Sequence, residues 1–390
     1  MVSSQLREEL PCHSEEIISF IKALESNLPD TRDNRGKRHG LVFVIACFVL
    51  ATLCGRHRLS SIHRFMCNRL PALRTLTNIL DAELISRAQL PRVLDSVDWV
   101  ELDAIIQRYF GVRIAKGKNK KWFAIDGKAL RGSQCGEDKQ SLVLAVEHET
   151  RETVAQARQI GTKSSEIPVV RTLLSESKLE AQKTTLDAHH CNPETTAQIE
   201  QAKGIYLVQV KENQAVLLRQ CEQSAAIQPC IAEFTAHEKA NGRVTSRRAK
   251  VFTIAKGSVA PRWEKSRLST LVIMTRETFD VTKQTTSVDT SYYVSNQSVN
   301  PDNSAPSAEL VKAIQNHWGV ESNNWIRDVT FNEDKIKVKA GNQAQVMGRL
   351  RGLAIELTRK TGIKNFQAAI DGFMDMPTVL ESFLRQVKFL

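Results

Sequence analysis

WFAIDGKALRGS, residues 122–133, opens the stretch whose order of elements decides the fold. Trp122–Asp126 reads as a strand. SLVLAVEH at Ser141–His148 and the segment Thr153–Ile160 read as a second and third strand, separated by short polar turns. Helical spacing then covers Ile167–Leu179, and Lys183–Asp187 reads as a fourth strand. Pro193–Ala202 reads as a helix and IYLVQVK at Ile205–Lys211 as a fifth strand. Three meandering strands followed by alternating helix and strand imply an α/β fold, a mixed sheet with helices on its faces.

This is the order of the ribonuclease-H-like fold, in which the first and fourth strands are neighbours. Asp126, on the first, and Asp187, ending the fourth in TTLDAHHC, are therefore expected to converge. A third acid, Glu321, lies far downstream in HWGVESNNWIRDV, in a helix that begins near Ser307. Leu310, Ile314, Trp318 and Trp325 form an apolar stripe on that helix. His317, Glu321, Asn324 and Asp328 form an adjacent polar one, which puts Glu321 at the edge of a buried face. A carboxylate there is costly unless it is paired or bound to a metal.

Two strand aspartates and a helix glutamate suit a two-metal phosphoryl-transfer site. Two Mg²⁺ ions about 3.5–4 Å apart clamp the attacking and leaving oxygens of an in-line displacement at phosphorus. Mg²⁺ prefers carboxylate oxygen and water, whereas thiolates select softer metals. Asp126 is the natural bridge, with Asp187 and Glu321 binding one ion each, and Lys128 and Arg131 stand close enough in sequence to hold phosphate. His189, His190 and Cys191 look like a metal cluster, but adjacent residues on one loop rarely ligate one ion together.

Upstream, residues 1–115 read as helical, with apolar spacing in Glu15–Leu28, Leu41–Leu53, Leu59–Leu70 and Trp99–Phe110. Arg32, Arg35, Lys37, Arg38, Arg56, Arg58, Arg64 and Arg69 cluster beside these helices. A helical DNA-binding domain and an ordinary solvated basic face both fit. LVFVIACFVLATL at Leu41–Leu53 is short for a membrane span and reads as a buried core helix. RIAKGKNKK at 113–121 marks a boundary, so the catalytic part is expected at 116–390.

Residues from about 212 to 303 break the alternation. They read as a mainly β insertion carrying strands at Val244–Ile254, Leu268–Thr275 and Ser291–Ser295, with Arg243, Arg247, Arg248 and Lys250 on a basic edge. Trp263, inside it, reads as a packing residue more than a base-stacking one. A last long helix, Asn342–Thr361, carries Arg349, Arg351, Arg359 and Lys360. The alternating Lys335, Lys337 and Lys339 before it share one side of an extended segment.

The chain has 390 residues, 42% of them hydrophobic, and a net charge of +11. That size implies two domains or one with an insertion, and the charge favours a polyanionic partner, nucleic acid first. Its eight cysteines form no Cys-x-x-Cys pair, which argues against a disulfide framework or a zinc ribbon and for free thiols in a reducing cytoplasm. Neither a targeting segment nor an internal repeat is expected.

FAIDGKALRGS, LDAHHCNPETTAQI with GIYLVQVKENQ, and HWGVESNNWIRDVTFNEDKIKVKAGNQAQVMGRLRGLAIELTRK resemble the three catalytic regions of insertion-sequence DDE transposases, nearest the ISAs or H-repeat-associated group. RDNRGKRHGLVFVIACFVLATLCGRHRLSSIHRF is similar to that group's accessory helical domain, and HEKANGRVTSRR to its insertion motif. The resemblance covers nearly the whole chain. It implies a ribonuclease-H-like catalytic domain with a β insertion before the glutamate, preceded by a helical DNA-binding or accessory domain. It also implies two Mg²⁺ ions, with Mn²⁺ an acceptable substitute, and cutting and joining of double-stranded DNA at transposon ends and target. Asp126, Asp187 and Glu321 fall on the family's three acids.

Expected DNA contacts are Arg35, Lys37, Arg38, Lys128, Arg131, Arg247, Arg248, Lys335, Lys337, Arg349 and Arg351. A homodimer on paired ends, a cytoplasmic, nucleoid-associated location and no membrane partner complete the expectation. The family usually reads HWxIEN-x-LHW-x-LDV. Here Ser322 replaces Asn, Asn324 stands where His is usual, and Arg327 where Leu is usual. Those departures leave open a domesticated DNA-binding protein or a nuclease of the same fold.

Overall fold

The computed structural model describes residues 19–111, 119–135, 138–160, 166–240, 242–333, 338 and 341–390. At 35, 128–135, 138–141, 158–160 and 341 it describes the backbone alone. Helices α1 (Phe20–Asn27), α2 (Leu41–Leu53), α3 (Leu59–Thr77), α4 (Gln89–Asp95) and α5 (Trp99–Phe110) come first. Then follow β1 (Trp122–Cys135), β2 (Asp138–Glu147), β3 (Thr153–Ile160), α6 (Glu166–Glu176), β4 (Lys183–Leu186), α7 (Pro193–Gln201) and β5 (Ile205–Val210). Next come α8 (Ala215–Ile227), β6 (Ala232–Ala240), β7 (Arg243–Thr253), β8 (Thr270–Asp280) and β9 (Thr285–Ser295). The chain closes with α9 (Ala305–Trp325), α10 (Gly341–Lys360), α11 (Phe366–Asp375) and α12 (Pro377–Gln386).

All nine described strands form one mixed sheet in the order β3-β2-β1-β4-β5-β9-β8-β7-β6. The β1–β4 and β4–β5 pairs are parallel, and the others antiparallel. The expected five-strand order therefore forms, and the later strands extend the same sheet through the β5–β9 pair instead of folding apart. Sequence reading missed β6, α8, α11 and α12. β6 is mostly exposed, an edge strand whose polar residues carry little apolar alternation.

The period of two in a strand divides the sheet's side chains between two layers. Phe123, Ile125, Val143, Ala145, Tyr206 and Val208 pack with residues of α6, α7 and α8 on one face. On the other, Ala124, Leu142, Leu144 and Val146 meet Val320 of α9. Nearer its start, α9 buries Leu310, Val311, Ala313 and Ile314 against Leu207, Val251 and Val272. One helix thus spans the sheet from the later strands to β1 and β2. The apolar stripe read from the sequence ends early, however. Trp318 and Trp325 are 52% and 60% exposed, while Val320 between them packs on β1 and β2, so the buried face of α9 shifts around the helix toward its end.

α2 is buried along nearly its whole length, among α1, α3, α4 and α10. No described helix is long and apolar enough to cross a membrane. The core of α1–α5 continues without a break into α10, α11 and α12. Phe20 and Ile21 donate backbone hydrogen bonds to Lys388 and Phe389, tying the two ends of the described chain together.

Arg349 and Arg351, read as phosphate contacts, are instead buried at 2% and 3% exposure. Arg349 bridges Asp103 of α5 and Glu356 of its own helix, and Arg351 pairs with Glu333 at 3.0 Å. Arg327 is equally buried, reaching Glu333 at 3.5 Å and the Gly348 carbonyl at 3.4 Å. Their charges hold α10 to the helical layer and to the segment after α9, and no phosphate reaches them in this fold.

Truncating one partner of a buried pair leaves the other charge desolvated. Arg349→Ala should therefore destabilise the fold by about 3–5 kcal/mol. Arg385→Ala, which breaks an exposed pair with Glu381, should cost under about 1 kcal/mol. Urea unfolding of the two variants checks the contrast.

Candidate active site

β1 and β4 run parallel with Ile125 opposite Leu186, so the next residues, Asp126 and Asp187, stand side by side at the end of β4. Crevices beyond the carboxyl ends of parallel strands are the usual ligand sites of α/β sheets. Asp187 caps the short turn that follows, accepting from the backbone N–H of His189 at 3.0 Å and of His190 at 3.4 Å. Burial, then the charges of Asp187 and Glu166, push the Asp126 carboxyl up to about 6.

Glu166 went unrecognised in the sequence. It opens α6, and its carboxylate lies over Gly127, where an added Cβ would meet it at 2.4 Å. A side chain at position 127 would therefore push the end of the Glu166 side chain away from Asp126. Buried His190 donates from Nε2 to Glu166 Oε1 at 3.0 Å and stands 3.8 Å from Asp187 Oδ1. The signal available in the sequence was the glycine after Asp126 and the second histidine after Asp187. Cys191, next in line, is buried and its thiol is pushed up to about 12 by desolvation.

α9 closes the site from the other face. Asn324 donates from Nδ2 to Asp126 Oδ2 at 3.2 Å. His317 Nδ1 and His148 Nε2 share the Thr185 hydroxyl at 2.8 and 2.9 Å, linking α9 to β4 and to the end of β2. Burial lowers His317 to about 4 and His148 to about 3, so both are neutral near pH 7. Arg151 donates to the Asn316 carbonyl at 2.6 Å. Its guanidinium occupies the space that a side chain at Gly319 would need. Glu309 anchors the start of the helix to Lys183, and accepts from Trp122 Nε1 at 2.9 Å.

Glu321 sits one turn after His317 and one before Asn324, on the face both contacts share, yet it is exposed. Its charge reaches Tyr293 on β9, while Asp126 feels Asp187 and Glu166 most. The structure therefore brings two of the three acids together and leaves the third at the rim, flanked by the exposed Trp318 and Trp325. A single turn of π-helix, Ile326–Thr330, follows α9 directly. Among the described residues no group of three or more His, Cys, Asp or Glu side chains surrounds a metal position. The donor chemistry still fits a hard cation. Asp126 and Asp187 repel each other, and the buried Asn324 Oδ1 has no partner among the described residues.

The basic residues fall into three groups. Lys37 is exposed, and Arg38 pairs with Glu83 at 2.5 Å. Arg247 and Arg248 on β7 pair across the strand with Glu238 at 2.7 Å and Glu233 at 3.2 Å. The side chains of Arg35, Lys128 and Arg131, and all of Lys335 and Lys337, lie outside the described residues. Trp263 is buried, as a packing residue.

A sheet with this strand order and a pair of acids at the end of β4 suits the ribonuclease-H-like phosphoryl-transfer class. The Transposase DDE domain family matches residues 111–357 and the DDE_Tnp_1-associated family residues 23–110. The chain belongs to the DDE transposases of insertion sequences. It is similar to "Putative transposase YncI" of Escherichia coli O157:H7, 26% identical over 87% of this chain and 88% of that protein. "H repeat-associated putative transposase YhhI" of Escherichia coli K12 is 27% identical over 69% of this chain and 71% of its own length.

Removing the Asp126 charge should stabilise the metal-free protein. Its folded-state pKa lies above the unfolded value of about 3.9. The penalty is therefore absent below pH ~4, grows as pH rises, and is complete above about 6. Asp126→Asn, measured by thermal unfolding in chelator, should gain about 1–2 kcal/mol at pH 7, after allowance for solvent screening, and nothing at pH 4.

Proposed function

We propose that this transposase cleaves DNA at insertion-sequence ends and joins the freed strand to target DNA, using Asp126, Asp187 and Glu321. The observation that carries the reading is the pair of carboxylates brought together by the β1–β4 register, under the helix that bears the third acid. The family match supports it.

In this reading Asp126, Asp187 and Glu321 would hold Mg²⁺, or Mn²⁺ in its place, as two ions. When bound, these ions would supply Lewis acidity at phosphorus and lower the pKa of bound water. The protein's share is placement. Asn324 fixes the rotation of the Asp126 carboxylate, and Glu166 with His190 holds the turn on which Asp187 sits. Thr185, bonded to His148 and His317, locks the height of α9 over β4, and with it the reach of Glu321. Glu321 would swing inward from the rim when the bound ions supply the positive charge that offsets the aspartates. Trp318 and Trp325, exposed beside it, would stack on bases at the cut end, each worth about 1–3 kcal/mol.

Arg35, Lys37, Arg38, Lys128, Arg131, Arg247, Arg248, Lys335 and Lys337 stay candidates for phosphate contact. So does a helical DNA-binding role for residues 1–115, with the catalytic part at 116–390 interrupted by the insertion at about 212–303. A homodimer on paired ends and a cytoplasmic, nucleoid-associated location belong to the same reading.

Asp126→Ala, Asp187→Ala and Glu321→Ala should each lower Mg²⁺-dependent nicking of end DNA by at least ~10³-fold, leaving DNA binding within a few-fold of wild type. A gel assay with end-bearing duplex checks this. DNA binding with no metal-dependent cutting by the wild type would point to a domesticated binder. Cutting without end preference or strand joining would point to a nuclease.

A further inference from the structure

The turn after α2 and the first half of α3 enclose a cleft of about 370 Å³, lined by Arg56, Ser61, Arg64, Phe65, Asn68 and Arg69. The last five recur at i, i+3, i+4, i+7 and i+8, so they share one face of α3. Two of the three arginines are held from behind by α11. Arg69 Nη2 donates to the Met374 carbonyl at 3.2 Å, and Arg56 Nη2 reaches the Met374 sulfur at 3.3 Å. The Arg69 guanidinium also lies 5.7 Å from the centre of the Phe65 ring. α3 departs from helical geometry at Arg69 (φ −124°, ψ 17°), two residues before Pro71, so the cleft lies at the kink of the helix.

Several arginines elsewhere in the chain are neutralised by carboxylates. Arg32 pairs with Asp30, Arg38 with Glu83, and Arg349 with Asp103 and Glu356. Among the described residues, Arg56, Arg64 and Arg69 meet no carboxylate, although they crowd one cleft. Three like charges in one cleft repel each other until an anion with several oxygens enters. A guanidinium fork matches phosphate geometry, and most of the N–H donors here are unspent. Phe65 adds an apolar wall, and Ser61 and Asn68 add neutral hydrogen-bonding groups. The volume suits a small-molecule-sized group, such as one nucleotide.

We propose that this cleft binds a backbone phosphate, with its attached nucleoside, of the DNA on which the transposase acts. The proposal rests on the DNA-processing reading above, and none of its residues belongs to an element that carries an acid. Arg64, exposed at the mouth, captures the phosphate, while Arg56 and Arg69, fixed on Met374, orient it.

The test is fluorescence anisotropy of the full chain with a labelled duplex carrying the DNA that borders its gene, titrated across salt. Arg64→Gln should weaken binding about 5- to 50-fold and reduce the slope of log affinity against log salt by about 1, whereas Arg64→Lys should keep the slope. Thermal unfolding, unchanged for both exposed-site variants, excludes misfolding as the cause. Wild-type affinity and slope in Arg64→Gln, beside cutting lost in Asp126→Asn, would overturn the cleft and leave the transposase reading standing. A wild-type chain that binds no duplex would overturn both. Displacement of duplex by polyglutamate at Arg64 as readily as by unlabelled duplex would assign the cleft to protein carboxylates and overturn the proposal.

Discussion

The parallel pairing of β1 with β4 is the constraint on which the site depends. Its register sets Ile125 against Leu186 and so forces Asp126 and Asp187 together where the shorter strand ends. The fold tolerates this like-charge contact by several means. Asp126 holds its proton more tightly than an exposed aspartate. Asp187 spends its charge on two backbone N–H groups, and Asn324 donates to Asp126 from above. Such an arrangement costs stability and suits the binding of positive charge, a pattern expected where function overrides packing.

Keeping that arrangement in place falls to two helices. α9 lies across the sheet, apolar at its start and polar over the acids, so a single rigid element ties the outer strands to the site. α10 is held to the helical layer and to the segment after α9 through buried arginines paired with Asp103, Glu333 and Glu356. The departures near Glu321 are intelligible in this light. Asn324 is short enough to donate to Asp126, and Arg327 finds Glu333 in a position where an unpaired charge would be costly.

Much of this was legible in local pattern. Strand alternation and helical spacing marked β1 to β5 and the start of α9, because each carries an apolar face of the right period, although β1 runs on past Asp126 to Cys135. Signals of another kind were absent elsewhere. β6 pairs through its backbone with mostly exposed side chains, so it lacks alternation. Glu166 is distant in sequence from both aspartates, and only packing over Gly127 delivers it to them. The apolar stripe of α9 appeared to continue through Trp318 and Trp325. Helical phase cannot report that the buried face shifts from the side of Leu310 and Ile314 to that of Val320, which leaves both indoles exposed.

The amino-acid sequence by itself determined the order of the elements, the positions of the three acids and the family to which the chain belongs. These reside in short-range periodicity and in contiguous words of residues, which need no long-range contact to be read. Tertiary structure alone decided which charges are free to act. Arg349 and Arg351 look like phosphate binders on a helix yet are buried against acids from other elements, while Arg56, Arg64 and Arg69 share a cleft that holds no carboxylate among the described residues. A guanidinium's availability depends on the carboxylates that folding brings to it, and those pairings span up to 246 residues of chain.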